Sequence, residues 1–495
     1  MPPEITEKFP ARIYKENVLV NCFEDAKRYF LQPYLDVDFA HAVMLAEQKI
    51  ITENELKELL TALRSLDLES IKRAEYDGSF EDMFFYLQRE ITKNCNPDTA
   101  GKLHTARSRN DIDVTIYRLH LRQDTLKLLR ATMDLRRNFL DSAAAHHETL
   151  IPAYTHTQPA QPSTLAHFLL AMAENLGRDI KRLQRAFDNM NLCPLGAGAI
   201  TTTGFPINRH RVAELLGFYA PTVNSYASIA SVDYFTETLG ASSALLVNVG
   251  KFAFEFLQMA SMEFNVIRLP DGYVQGSSIM PQKRNPVALE HIRALASKAL
   301  GQSLGVFTSI HNTPFGDIND VEDDLQPLIY NALRDATRSV ALFAGTLQSA
   351  TFNLDILRRR AGENFITVTE LADTIVRREN LSFHTSHKIV GICVKAALAQ
   401  NGEITHGILQ TAAKEVLGYE ISMSEAELAK TLSPENFVAI RIIYGGTAPE
   451  ETRRALGVER KYESADEKWF LEKKEFLENA STKLDKIVDE IIEVR

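Results

Sequence analysis

The stretch Gly276-Ser277-Ser278-Ile279-Met280-Pro281-Gln282-Lys283-Arg284-Asn285-Pro286 gathers two hydroxyls, the Lys283 ammonium and the Asn285 amide in one short loop. Gly272 and Gly276 precede or open it, so its backbone has access to positive φ and freedom to move. Asn285 is a good N-cap and Pro286 suits a first helical position, so the spacing predicts a helix starting there. A mobile polar loop that ends at a helix N-terminus can hold an anion. A plain surface loop with a capped helix would use the same residues.

Two further clusters carry chemistry. Gly101-Lys102-Leu103-His104-Thr105-Ala106-Arg107-Ser108-Arg109-Asn110-Asp111 sets guanidiniums, hydroxyls and an amide beside the start of a long helix. That combination suits carboxylate or phosphate recognition, although Ser108, Asn110 and Asp111 could equally cap the helix beside solvated arginines. Tyr154-Thr155-His156-Thr157-Gln158-Pro159-Ala160-Gln161-Pro162 predicts a rigid polar turn, which would hold His156 better than a loose loop could. A lone histidine can also serve only as a structural hydrogen-bonder.

The elements that must position these clusters are long helices. No proline occurs between Asp98 and Ile151, Ser163 and Cys193, or Thr222 and Leu269. Leu165, Phe168, Leu169, Met172, Leu176, Ile180, Leu183 and Phe187 step by three or four residues as one apolar stripe, the pattern of a bundle helix. Ala241, Leu245, Leu246, Phe252, Phe254 and Phe256 add a second apolar face, expected to pack against other subunits. The organisation expected is all-α in three segments: an N-terminal helical domain over 1–110, a central long-helix bundle over 111–355, and shorter helices over 356–495 ending in the charged tail from Lys483 to Arg495.

Composition narrows the function. The chain has 495 residues, 45% hydrophobic and 24% charged, with a net charge of −10. These are proportions of a globular protein, and the acidic balance argues against a nucleic-acid partner. Cys22, Cys95, Cys193 and Cys393 form no CxxC pair, so neither a disulfide framework nor a zinc site is expected. The first 17 residues lack an apolar signal-peptide core and no run of about 18 apolar residues occurs, so no membrane association and a cytoplasmic location are expected.

The string Gly-Ser-Ser-x-Met-Pro-x-Lys-x-Asn at Gly276–Asn285 resembles the signature of the fumarase/aspartase superfamily. His104-Thr105-x-Arg107-Ser108-Arg109-Asn110-Asp111, Tyr154-Thr155-His156-x-Gln158-x-Ala160-Gln161-Pro162 and Tyr444-Gly445-Gly446-Thr447-Ala448-Pro449 most resemble its argininosuccinate lyase branch. The resemblance spans about residues 36 to 455. It implies an all-α homotetramer with a multi-helix core and active sites shared by three subunits. The implied reaction is a β-elimination that releases fumarate from a small-molecule substrate without metal or organic cofactor. By resemblance Ser277 is the base, and Lys283 and Asn285 hold the carboxylate that takes up charge. His156 and Glu290 orient or shuttle the proton. Ser108, Arg109, Asn110, Thr155, Gln161 and Asp82 belong to substrate binding.

The leaving-group half departs from that branch. Where the branch has Glu-Asp-x-His-x-x-Asn, this chain has Glu81-Asp82-Met83-Phe84-Phe85-Tyr86-Leu87, and an expected arginine falls on Val232. A Tyr…Gln…Lys pattern becomes Asp317, Glu322 and Leu325. The expected pocket, lined by Phe84, Leu87, Val232, Asp317, Glu322 and Leu325, disfavours an α-carboxylate and tolerates an amine or an apolar chain. Three readings remain open: a lyase for another N-substituted aspartate, of the ethylenediamine-disuccinate lyase type; argininosuccinate lyase with an altered pocket; and a non-catalytic scaffold of the lens-crystallin kind.

Overall fold

The computed structural model describes residues 8–400 and 402–493. Residues 1–7, part of the segment read for a signal peptide, and residues 494–495 of the charged tail lie outside them. Five long helices form the body: α1 (Arg109–Ala145), α2 (Leu165–Met190), α3 (Asp233–Met259), α4 (Val287–Ile310) and α5 (Gln326–Gln348). Each packs on the next and α5 closes on α1, making a ring of helices. The apolar stripe read in α2 is the cause of its place there: Leu165, Leu169, Met172, Leu176, Ile180, Leu183 and Phe187 are all buried, with Phe168 half-buried at the edge.

Cross-contacts fix the direction of each helix. Near the start of α1, Arg118 donates to the carbonyl of Met190 at the end of α2 (3.2 Å) and lies 4.4 Å over the ring of Tyr234 at the start of α3. Near the other end, Phe139 of α1 meets Phe252 and Phe256 of α3 and Phe343 of α5. The helices therefore alternate in direction, and the connections fall at two opposite ends of the bundle. With 37 residues, α1 is about 55 Å long at 1.5 Å per residue.

Two expectations are corrected. The chain does not finish in shorter helices and a tail: α6 (Pro449–Glu493), at 45 residues the longest helix, lies back along α1 and α2. Its acidic residues do the joining. Buried Arg136 of α1 pairs with Glu459 (2.9 Å) and Asp466 (2.8 Å), and Gln184 of α2 also donates to Asp466 (3.0 Å). Secondly, Ala241, Leu245, Leu246, Phe252 and Phe256 are buried within this one chain. Of the six residues assigned to a subunit face, only Phe254 is exposed, beside exposed Val247. The N-terminal helices share the bundle's core, as the aromatic group Phe23, Tyr76, Phe80 and Tyr86 illustrates. A separate core is built from residues between Leu371 and Leu428. Among the described residues no helix is long and apolar enough to cross a membrane.

Candidate active site

The site residues read from the sequence fall at the two ends of the bundle. At the end where α1 finishes, the expected turn around His156 is instead a β-hairpin, β1 (Leu150–Thr155) paired antiparallel with β2 (Gln158–Thr164). Its prolines hid it. Proline donates no backbone hydrogen bond, yet a two-stranded ribbon leaves outward-facing positions where none is needed, and Pro152 stands opposite Pro162. The two tip residues are His156 (φ 51°) and Thr157 (φ 63°), both left-handed. Side chains other than glycine rarely adopt that backbone, and a neighbouring pair persists only where the surroundings over-determine it.

Those surroundings can be named. Gln161 donates to Thr369 (3.1 Å), and Ser163 lies 3.2 Å from His167 Nδ1, whose Nε2 lies 3.2 Å from the Gly445 carbonyl. Gly445, at φ 81°, donates its amide to buried Glu451 (2.7 Å), which also pairs with Arg454 (2.6 Å). The Tyr444–Pro449 motif is thus a support for the hairpin.

The Ser277 loop leaves the same end. Its base is a bridge in which Gln275 and Asn285 exchange backbone hydrogen bonds of 3.0 and 2.9 Å, and Arg284 is held by Asp271 and the Leu269 carbonyl. Pro286, not Asn285, occupies the cap position of α4, because the Asn285 backbone is committed to that bridge. Ser277 Oγ accepts from the amides of Ile279 (3.3 Å) and Met280 (3.1 Å), so the hydroxyl is shaped by its own loop. Ring contact between Tyr154 and Phe264 (6.4 Å) ties the hairpin to the segment leading into this loop. His156, Thr155, Lys283 and Glu290 are exposed and Asn285 is half-buried. Among the described residues none of these five side chains has a hydrogen-bond or ion-pair partner within the chain.

The opposite end holds Ser108, Arg109 and Asn110 together with the altered positions. Asp111 anchors the start of α1: its carboxylate accepts from the amides of Ser108 (2.8 Å), Gly196 (2.7 Å) and Gly198 (2.9 Å). The glycine turn before residue 200 is therefore a cradle for an internal carboxylate. The arginines of the motif are engaged too. Arg107 is buried against Asp38 (2.6 Å), and Arg109 pairs with Asp82 (2.5 Å) and Glu81 (3.0 Å). Ser108 Oγ donates to Asn110 Oδ1 (2.6 Å), and the Asn110 amide donates to the Asp317 carboxylate.

Asn110, Asp113 and Tyr117 follow one another at helical spacing, so they share a face of α1. Tyr34 donates to Asp113 (3.0 Å) and Tyr117 to Asp323 (3.3 Å). Burial, reinforced by the charges of Asp323 and Asp82, pushes the Asp113 carboxyl well above the usual range. Glu322 is pushed up to about 9, first by burial and then by its hydrogen bond to Asp317 and that group's charge. Asp113 and Asp323 were not among the residues read from the sequence. Their helical spacing from Asn110, for Asp113, and their proximity to Glu322, for Asp323, were the available signals.

The expected apolar lining is corrected. Leu87 and Leu325 are in the hydrophobic core, Phe84 is buried against the ring of His104 (5.0 Å), and Val232 packs on the core just before α3. Only Asp317 and Glu322, of the six altered positions, join the polar surface beside Asn110. Despite its carboxylates, no group of three or more His, Cys, Asp or Glu among the described residues is arranged to hold a metal ion.

Comparison with known proteins gives this geometry its context. Residues 45–301 match the family model described as Lyase, and residues 365–439 the one described as Argininosuccinate lyase C-terminal. The chain is 41% identical over 460 residues to argininosuccinate lyase 2 of Agrobacterium fabrum, covering 92% of this chain and 91% of that one. The chain belongs to the argininosuccinate lyase branch of the fumarase/aspartase superfamily. As a member of that branch it is a carbon–nitrogen lyase. Argininosuccinate lyase of Methanoculleus marisnigri is 35% identical over 459 residues, with 92% of each chain covered. The structure of EDDS lyase in complex with formate superposes with a TM-score of 0.87 at 30% identity, covering 97% of this chain and 96% of that one. An EDDS lyase variant with bound fumarate gives the same values.

Proposed function

We propose that this lyase eliminates an amine from an N-substituted aspartate, leaving fumarate, and that the leaving amine bears a positive charge beyond the nitrogen that is cleaved. The observation that carries this reading is the division of the site residues between bundle ends. Lys283, Asn285, His156 and Glu290 stand at one end without side-chain partners among the described residues, together with Ser277, whose hydroxyl is held by its own loop. Ser108 and Asn110, with the acidic groups Asp317 and Glu322, stand at the other.

The chemistry assigns the first set. A proton on the carbon beside a carboxylate is weakly acidic, and its removal builds a second negative charge on that carboxylate. Ser277 serves as the base; Lys283 and Asn285 supply the cation and donor where the charge develops. His156, with Glu290, returns a proton to the departing nitrogen. The second set holds the remaining carboxylate through Ser108 and Asn110, while Thr155 and Gln161 flank the histidine. The Asp317 charge beside that carboxylate repels a further anion and attracts an ammonium. The ends lie too far apart for one chain to bring both sets to one substrate, so the site is built between copies, as a homotetramer provides. The four free cysteines support a cytoplasmic setting.

Argininosuccinate lyase proper is the second reading, favoured by the names of the relatives quoted above. Fumarate release from argininosuccinate, N-succinyl monoamines and N-succinyl diamines separates the two. The proposal expects the diamines to be cleaved best. A kcat/KM for argininosuccinate above about 10⁴ M⁻¹s⁻¹, ordinary for a native substrate, would overturn it.

A further inference from the structure

The Asn110 side chain is not vacant. Its amide donates to the Asp317 carboxylate, and its carbonyl oxygen accepts from Ser108 Oγ at 2.6 Å. Asp317 therefore sits on the donor that the proposed reaction gives to the substrate's carboxylate. The segment carrying it is laid over the start of α1 by further ties. Phe315 stacks on Tyr226 with ring centroids 5.7 Å apart, Tyr226 donates to the Phe315 carbonyl (2.9 Å), and Asp323 accepts from Tyr117 (3.3 Å). Between these ties only a short helical turn, Asn319–Val321, is regular. Arg109, the residue before Asn110, is already paired with Asp82 and Glu81.

From this contact we propose that Asp317 is an internal stand-in for the substrate carboxylate, and that a substrate gains Asn110 by exchanging partners with it. The inference rests on the reading of Asn110 as a substrate-binding residue. The Asn110 hydrogen that Asp317 occupies is not free, so a substrate carboxylate takes that donor only by displacing Asp317. A displaced Asp317 carboxylate loses the Asn110 donor and keeps only its hydrogen bond to Glu322, so a cation that takes the donor's place favours the exchange. An N-succinyl diamine supplies both halves of the exchange: its carboxylate takes Asn110 and its free ammonium takes Asp317. An N-succinyl monoamine supplies only the first. Asp317 is thereby a specificity-determining residue, holding the site closed to anions that arrive without a cation.

The test is binding, read by calorimetry on the intact protein, of fumarate alone and of an N-succinyl diamine and monoamine pair on a variant made inert by Ser277→Ala. Asp317 is exposed, so Asp317→Ala and Asp317→Asn should both fold. Removing the competing carboxylate is expected to tighten fumarate about tenfold in Asp317→Ala, the factor by which a binding-competent state populated one-tenth of the time weakens affinity. The preference for diamine over monoamine should fall by about the same factor in both variants. Unchanged fumarate affinity in Asp317→Ala together with an unchanged preference would overturn the exchange. Asn110→Ala separates the two levels of the argument. Weaker fumarate binding there upholds the underlying assignment, whereas unaltered binding would remove that assignment and the exchange with it.

Discussion

His167 Nε2 lies 3.2 Å from the Gly445 carbonyl while its Nδ1 lies 3.2 Å from Ser163 Oγ, so one ring joins the His156 hairpin to the Tyr444–Pro449 motif. The link gives the motif a physical role. Glu451 fixes the Gly445 turn, Gly445 faces the imidazole, and the imidazole steadies the strand whose tip carries His156. His167→Ala should lower kcat by about 10–100-fold, the order expected when a catalytic group is misplaced by an ångström, with KM altered far less. The chemical shift of the His156 imidazole, read by NMR, should move in the same variant. An unmoved signal with intact turnover would reduce His167 to a bystander.

Ser277 is shaped by the amides of Ile279 and Met280, not by another element. Ser277→Ala should therefore leave helix content and assembly size unchanged while turnover falls by about 10²–10⁴. Circular dichroism, light scattering and fumarate release measure the three quantities. Near-native turnover would exclude the hydroxyl from the reaction.

Asn110 and Ser277 belong to opposite ends of helices tens of ångströms long. Mixing inactive Asn110→Ala with inactive Ser277→Ala, under conditions that exchange subunits, should regenerate activity in the hybrids. Mass spectrometry verifies exchange. Hybrids that form yet stay inactive would argue against a site shared between copies.

Glu322 gives a pH dependence whose sign follows from its shift. Folded, it holds its proton up to about 9, whereas unfolded it loses it near 4.5. The folded state therefore binds more protons across that window, and stability falls as pH rises from about 4.5 to 9. Glu322→Gln should flatten this part of the Tm profile and raise Tm most at the alkaline side. A wild-type and variant pair with parallel profiles between pH 5 and 9 would contradict the assignment.

How much was legible in the sequence differs by element. The α2 stripe was readable because one wide apolar face recurs at helical spacing, and Ser108 and Asp111 did begin a helix. The last helix was not, because its buried positions are sparse and partly charged: Glu459, Asp466, Phe470, Leu477 and Leu484 are set in a mostly exposed, charged surface. Two signals were nonetheless present, the absence of proline after Pro449 and the seven-residue step from Phe470 to Leu477 to Leu484. The motifs pointed to candidate reacting groups, since residue type carries that information. They could not tell that Arg107 and Arg109 face protein carboxylates, or that Phe84 and Leu325 face the core, since partners distant in sequence decide both.

The return of the last helix sets a schedule for the chain's birth. Arg64 pairs with Asp485 at 2.7 Å across 421 residues, and Arg136 finds Asp466 across 330. At a synthesis rate of about 5–20 residues per second, roughly 20–80 s separate the emergence of Arg64 from that of its partner. Until α6 emerges, the flank of α1 that carries Arg130 and Arg136, which meet Phe470 and Asp466, is uncovered. A message truncated before the last helix would leave this flank uncovered for good. Helix α6 thus covers a face that α1 and α2 would otherwise leave open.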